Sequence, residues 1–191
     1  MIHHISSVKN QKGFTVIEML VVTAILVMLM TMSVIGFQSG REDDLLRASL
    51  LRFADGVRKA QNDAQTGVLQ GGVAYPAYGV YLDATSGDLL LYADTGASGG
   101  GTANMYNAGV DALVETIPVV NPGHVVIDDI SWDGVGGKAG VDGSFVAPRA
   151  DMLLQGAETI QSVTVRLKST KNGHTKSVTI HRITGRVDID Y

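Results

Sequence analysis

The chain contains no cysteine, so no disulfide can stabilise its folded part and no thiolate can bind a metal ion. Three later histidines, His124, His174 and His181, lack the short spacing that is typical of transition-metal ligands. The sequence also lacks a Gly-x-Ser-x-Gly motif, a phosphate-binding loop and a paired-histidine motif. These absences argue against an enzyme, and we assign no catalytic residue and no transition-metal site.

Charge is almost absent from residues 14–37, an apolar stretch of 24 residues with one ionisable side chain, Glu18. At about 1.5 Å per residue, a helix of this length measures roughly 36 Å and spans a bilayer. Lys9 and Lys12 precede the stretch, whereas residues 41–44 carry one cation and three acids. Because positive flanks stay in the cytoplasm, the pattern predicts a single-pass inner-membrane protein whose C-terminal part lies outside the cytoplasm.

The position of Glu18 needs an explanation, because an ionisable side chain within a membrane segment costs about 3 kcal/mol on insertion scales. The other polar residues of the stretch, Thr15, Thr23, Thr31 and Ser33, carry no charge that could neutralise it. We therefore expect the partner of Glu18 to be a positive group that arises from processing or belongs to a neighbouring subunit.

The order Gly13-Phe14-Thr15-Val16-Ile17-Glu18 after a short basic leader resembles the class III signal of type IV prepilins and type II secretion pseudopilins. The resemblance implies that a prepilin peptidase cleaves after Gly13 and methylates the new terminal amine of Phe14. It also implies that Glu18 neutralises the terminal amine of an adjacent subunit during assembly. A buried amine and a buried carboxylate relieve each other's desolvation only when two subunits dock in register.

A secretory signal or a plain membrane anchor is the alternative interpretation of this segment. A secretory signal is cut after its apolar core, whereas the candidate cleavage site here precedes the apolar stretch. A plain anchor accounts for the span but leaves Gly13-Phe14 and Glu18 without a role.

Helical periodicity continues beyond a polar break at residues 38–40. Apolar residues recur at intervals of three and four at Leu46, Leu50, Phe53, Val57, Ala60 and Ala64. This spacing predicts an amphipathic helix. We expect a nearly continuous helix over residues 14–66, membrane-embedded over 14–37 and packed on a domain over 38–66. It follows the leader, residues 1–13, and Gly67 is the expected stop signal.

Residues 67–191 contain short alternating segments separated by turn signals, which predict β-strands. The segments are 78–82, 88–92, 113–120, 124–127, 163–168, 177–181 and 187–189. Asn172-Gly173 predicts a hairpin with a type I′ turn, in which both residues have positive φ. The sequence therefore predicts an α+β fold, a long helix followed by an antiparallel β-sheet domain, and the resemblance implies the lollipop shape of pilins.

Two glycine-rich loops, residues 94–104 and 131–143, are expected to be solvated connections, with contact to a subunit or partner as the alternative. Calcium is the metal that we consider for the acidic residues of these loops. The best acidic group consists of Asp128, Asp129, Asp133 and Asp142. Because Ca²⁺ takes six to eight oxygen ligands, usually including several carboxylates, we expect no cofactor and keep calcium as the alternative.

Positive charge concentrates near the C-terminus, where residues 159–187 contain no acid. The cations are Arg166, Lys168, Lys171, Lys176, Arg182 and Arg186. They could contact an acidic face of another subunit or bind DNA phosphates. No aromatic residue interleaves with them to stack on bases. The resemblance also disfavours DNA, because DNA-binding relatives carry a second arginine where this chain has Asp188.

Within the family, the chain most resembles H-type pseudopilins and FimT-like minor pilins. Ile35 stands where many mature pilins have proline, and Thr184-Gly185-Arg186 resembles the closing segment of these subunits. The resemblance implies a minor structural subunit of a type IV pilus or type II secretion pseudopilus. Its partners would be the prepilin peptidase, the inner membrane and other subunits of the filament. A major pilin and a DNA-binding minor pilin are the alternatives.

Overall fold

A computed structural model describes residues 13–96, 100–156 and 158–190, and for residues 34–39 the backbone only. These residues form one helix, α1 (Val16–Thr66), and nine strands, and the chain divides into two compact units, residues 1–40 and 41–191. The strands are β1 (Ala77–Asp83), β2 (Asp88–Asp94), β3 (Ala112–Pro118), β4 (Val125–Trp132), β5 (Gly140–Val146), β6 (Asp151–Leu154), β7 (Ser162–Ser169), β8 (Thr175–His181) and β9 (Arg186–Asp190). The predicted leader, apart from Gly13, lies outside the described residues.

Helix α1 confirms the helix predicted from apolar spacing. In the second unit, all six residues of the predicted apolar face, from Leu46 to Ala64, are fully buried. The helix ends where Gly67 adopts a φ of +61° and the N–H of Val68 donates to the carbonyl of Asp63 at 3.3 Å. This bond satisfies a carbonyl that the end of a helix leaves open, and glycine is favoured at that position because it has no Cβ.

The β domain consists of two antiparallel sheets. One sheet has the strand order β3-β2-β1-β5-β6 and the other has the order β4-β7-β8-β9. The core forms from the apolar face of α1 within the second unit and from buried side chains of both sheets. Helix and sheet approach closely at Gly56, where a Cβ would lie 2.4 Å from Cδ2 of Leu89, so the glycine makes room for a leucine of β2.

The antiparallel β domain is confirmed, but the sequence did not predict two of its strands. Strands β5 and β6 form one edge of the first sheet, and β5 begins inside the segment expected to be a loop, 131–143. The sequence of β5, Gly-Val-Asp-Gly-Ser-Phe-Val, has weak strand propensity, but its five central residues are buried. Burial against the core overrides local preference at this position.

The hairpin formed by β7 and β8 is confirmed, whereas its predicted type I′ turn is wrong. Only Gly173 of the Asn172-Gly173 pair has a positive φ, +74°. The turn is longer than two residues, since Ser169 donates its N–H to the carbonyl of His174 at 2.9 Å. Side-chain bonds explain the longer turn. Asn172 accepts the N–H of His174 and donates to Asp43 of α1 at 3.2 Å.

Candidate assembly site at the N-terminal helix

The predicted cleavage site lies directly before α1. Gly13 and Phe14 precede the helix, and the side chain of Phe14 is 76% exposed. A Cβ placed on Gly13 would meet no described atom within 4 Å. The packing of the described chain therefore gives no reason for a glycine at this position.

Thr15 caps the start of α1. Its Oγ1 accepts the N–H of Glu18 at 3.2 Å, and its carbonyl accepts the N–H of Met19 at 3.2 Å. The order Thr15-Val16-Ile17-Glu18 is that of a capping box, in which the glutamate lies in the first turn. A carboxylate there is also favoured by the helix dipole. The backbone N–H of Glu18 thus takes part in the helix cap, whereas its carboxylate makes no capping bond to the described chain and gains only from the helix dipole.

The carboxylate of Glu18 has no hydrogen bond or ion pair with any described residue. The threonine hydroxyls of the segment bond to the backbone instead. Thr23 donates to the carbonyls of Met19 and Leu20, each at 3.0 Å, and Thr31 donates to the carbonyl of Met28 at 2.8 Å. These bonds make the threonines compatible with an apolar environment but leave the Glu18 carboxylate unneutralised.

The first part of α1 exposes its apolar side chains on all sides. Val16–Ser33 is an 18-residue stretch with mean hydropathy 2.3, and none of it is buried against the described chain. Ile17 and Leu20, for example, are 73% and 65% exposed. A continuous apolar surface of this size marks a membrane or protein contact. By its length and composition the helix can cross a membrane.

Arg166 and Lys168 lie on the exposed side of β7, as alternation predicts. Both side chains lie 3.9 Å from Asp128 of the neighbouring strand. At the other edge of this sheet, Arg186 pairs with Asp188 at 2.5 Å. Asp188 occupies the position at which a DNA-binding subunit was expected to carry a second arginine. Here it pairs with Arg186 and neutralises its charge. Acids of β4 and β9 thus lie beside these cations. The acid-free segment 159–187 gave no indication of this, because both acids lie outside that segment.

The other three cations of the predicted DNA-binding group lie apart from one another. Lys171 belongs to the turn between β7 and β8, Lys176 belongs to β8, and Arg182 directly follows β8. The cations Lys168, Lys171 and Lys176 thus lie toward the turn end of the hairpin formed by β7 and β8, and Arg182 and Arg186 lie toward its other end. DNA binding stays a prediction without a common basic surface to support it.

The aspartates considered as calcium ligands have separate partners and lie in different parts of the domain. Asp129 accepts the N–H of Gly137 at 2.8 Å, and Asp133 accepts the N–H of Ser162 at 2.7 Å. Asp142 is 2% exposed and lies in another sheet. Within the described part of the chain, no group of three His, Cys, Asp or Glu side chains is arranged to hold a metal ion.

Three aspartates organise the described residues 94–96 and 100–111, which we call the anchored loop. Asp94 accepts the N–H groups of Gly96 and Asn104, Asp111 accepts those of Thr95 and Asn107, and Asp142 accepts that of Tyr106. The sequence signal for this arrangement was the pair of aspartates flanking a glycine-rich segment. The third aspartate, Asp142, could not be predicted because it lies on β5, a strand that the sequence did not predict.

Burial raises the pKa of Asp142 from 3.8 to about 6. The negative charges of Asp94 and Asp111 add to this rise, and hydrogen bonds from Tyr106 and Tyr92 oppose it. The folded state therefore binds this proton more tightly than the unfolded chain does. The contribution to stability is complete below about pH 4 and is lost as the pH rises through about 6.

Asp142→Asn is expected to remove this pH dependence. In the wild type, protonation of Asp142 contributes about 3 kcal/mol at low pH, at roughly 1.4 kcal/mol per pKa unit. Urea unfolding of the full chain in detergent between about pH 4 and pH 7 measures the difference between variant and wild type. If the unfolding free energy changes with pH by the same slope in wild type and variant, the raised pKa is wrongly assigned to Asp142.

Asp43→Asn is the matched control for this experiment. The pKa of Asp43 is lowered, chiefly because His174 donates a hydrogen bond to it. Its contribution to stability is therefore lost as the pH falls, which is the opposite direction to that of Asp142. This loss occurs below the ordinary aspartate pKa of 3.8, so between about pH 5 and pH 7 Asp43→Asn should leave the wild-type slope nearly unchanged, whereas Asp142→Asn should flatten it.

Comparison with known proteins gives one match. Residues 8–34 match the family model described as the prokaryotic N-terminal methylation motif. The match covers the Gly-Phe-Thr-Val-Ile-Glu segment and the exposed apolar part of α1, and it supports a type IV pilin-like subunit with a class III signal. Such a signal implies processing by prepilin peptidase, membrane anchoring and assembly with other pilins. No curated protein and no solved structure matches the chain significantly.

Proposed function

We propose that the chain is a minor structural subunit of a type IV pilus or type II secretion pseudopilus. The observation that carries the proposal is the methylation motif placed directly before an apolar helix with no buried residue in its first 18 positions. The described chain offers this part of the helix no partner of its own. A bilayer before assembly and other helices after assembly would supply the missing apolar surroundings.

The proposed sequence of events starts in the inner membrane. Lys9 and Lys12 keep the leader in the cytoplasm, and residues 67–191 lie on the other side. Prepilin peptidase cleaves after Gly13 and methylates the amine of Phe14. The exposure of Phe14 and the empty space around Gly13 are consistent with a segment that another protein grips.

Glu18 then guides docking. Its carboxylate has no partner among the described residues, and the amine of Phe14 on an adjacent subunit is a group of the right charge. In a low-dielectric environment each charge destabilises the filament unless the other neutralises it. The pair therefore specifies register, while the apolar surfaces between Val16 and Ser33 provide most of the contact area.

A minor role is favoured over that of a major pilin. The chain has no cysteine to close a C-terminal loop and has Ile35 in place of the usual proline. Quantitative mass spectrometry of sheared filaments from the native host tests this assignment. Trace amounts of the mature chain support a minor subunit, whereas a chain that forms the bulk of the filament would be a major pilin. Mature chain in the membrane but not in surface filaments would indicate a periplasmic pseudopilus.

A further inference from the structure

One of the two glycine-rich segments singled out in the sequence, residues 131–143, borders a groove in the second unit together with the end of the anchored loop. The groove encloses about 620 Å³. The anchored loop supplies Met105 and Tyr106, and the segment after β4 supplies Lys138. Tyr81 of β1 and Trp132 of β4 complete the aromatic lining. A segment expected to be a plain connection thus builds a concave surface with the anchored loop and β1.

Aromatic rings define this groove. The rings of Tyr81 and Tyr106 stack with centroids 5.1 Å apart and planes 26° apart, and the Nζ of Lys138 lies 5.0 Å from the centre of the Trp132 ring. Most of the surface is apolar, with phenol and amine groups as polar contacts. Flat apolar faces with a few polar groups suit a ligand that is itself apolar on one face and polar at its edges.

The charges in the groove select for a neutral ligand. Among the described lining residues, two carry charge, Lys138 and Asp142, and their signs are opposite. The Asp142 carboxylate already accepts hydrogen bonds from Tyr92 and from the N–H of Tyr106, each at 2.6 Å. This carboxylate is thus buried and already hydrogen-bonded. A polyanion requires a cluster of cations, and the described lining has a single one, Lys138.

The groove is held in shape by strained backbone. Four described residues other than glycine have positive φ, and three of them belong to this region. Gln155 lines the groove, Asn104 precedes Met105, and Asp133 follows Trp132. Strain of this kind persists where the surrounding structure fixes it and is concentrated at functional sites.

The indole nitrogen of Trp132 adds a second unexplained feature. Its Nε1–H is buried and has no hydrogen-bond acceptor in the described part of the chain. A buried donor of this type normally has a partner.

We propose that this groove binds a neutral saccharide. A pyranose ring stacks its C–H face on the aromatic rings, and its hydroxyls exchange hydrogen bonds with Lys138, Gln155 and the Tyr81 phenol. This inference is independent of assembly, because every residue that carries it belongs to the second unit. It gives the exported domain a capacity for glycan contact in addition to its place in a filament.

Trp132 makes the proposal directly testable, because it is the only tryptophan in the chain. The full chain is placed in phospholipid nanodiscs, which avoids sugar-based detergents that would compete. Its fluorescence is followed during titration with neutral trisaccharides of glucose, N-acetylglucosamine and galactose, in α- and β-linked forms. At least one should give a saturable change with a Kd on the order of 1 mM.

Two groove variants and one control separate specific binding from general damage. Tyr106→Ala removes a stacking ring and Lys138→Ala removes a polar donor, and each should weaken binding about tenfold or more. Tyr75→Ala changes a tyrosine outside the groove and should leave the Kd unchanged. The absence of a saturable change with every neutral saccharide would overturn the proposal. Equal loss in Tyr75→Ala, or tighter binding of an acidic hyaluronan tetrasaccharide or a peptide, would also overturn it.

Discussion

Gly13→Val is expected to leave the leader attached to the chain. A Cβ on residue 13 meets nothing in the described structure, so the substitution does not disturb the protein's own packing. The block arises in the peptidase, whose site would have to accept a branched side chain beside the bond to be cleaved. We expect the rate of processing to fall by at least about 100-fold, which corresponds to roughly 3 kcal/mol of transition-state stabilisation.

The ratio of precursor to mature chain in membranes measures this effect. Gly40→Val is the matched control, because a Cβ added to Gly40 also has no described atom within 4 Å and the residue lies far from the cleavage site in sequence. This control should be processed normally. A Gly13→Val chain trimmed at the wild-type rate would show that cleavage after Gly13 is wrongly assigned.

Glu18→Ala is expected to be processed normally but to enter filaments poorly. Removal of one partner of a buried ion pair leaves the other charge unneutralised and costs about 3–5 kcal/mol. Incorporation relative to the membrane pool should therefore fall by on the order of 100-fold or more. Immunodetection in sheared filaments and in membranes gives the two quantities. Glu158→Ala, an exposed acid in the second unit, is the control and should assemble normally.

Glu18→Gln separates the two roles that the structure allows for Glu18. Glutamine preserves the backbone N–H that Thr15 caps and nearly the same side-chain shape, but it carries no charge. If neutralisation of an amine governs docking, Glu18→Gln should fail as Glu18→Ala does. Normal incorporation of Glu18→Gln would contradict the proposed registration pair.

Local patterns were sufficient to predict α1 and the hairpin formed by β7 and β8. The three- and four-residue spacing between Leu46 and Ala64 reports one buried helix face, and that face is buried. Strands β7 and β8 alternate buried and less buried residues as their sequence does. In these elements, local preference and tertiary burial agree, so the sequence carries the information directly.

The arrangement of the sheets could not be predicted in the same way. Strands β3 and β4 follow one another in sequence but belong to different sheets. Strand β5 combines two glycines and an aspartate with nearly complete burial. Its pairing with β1 depends on residues about 60 positions apart in the chain, and such long-range contacts leave no local periodicity.

The same limit applies to the candidate sites. The segment from Gly13 to Glu18 is contiguous, so its pattern can be read from the sequence. The groove brings together residues from β1, the anchored loop and the segment after β4. Its aspartate anchor, Asp142, lies on the unpredicted strand, so neither its burial nor its bond to Tyr92 could be foreseen.

Mass spectrometry of the N-terminal peptide of the chain, purified from membranes and filaments of its native host, tests the central claim most directly. The account predicts a peptide that begins at Phe14 and carries a methyl group on its terminal amine. A mature chain that retains residues 1–13, or that begins after the apolar stretch, would contradict the claim that this is a processed, pilin-like subunit.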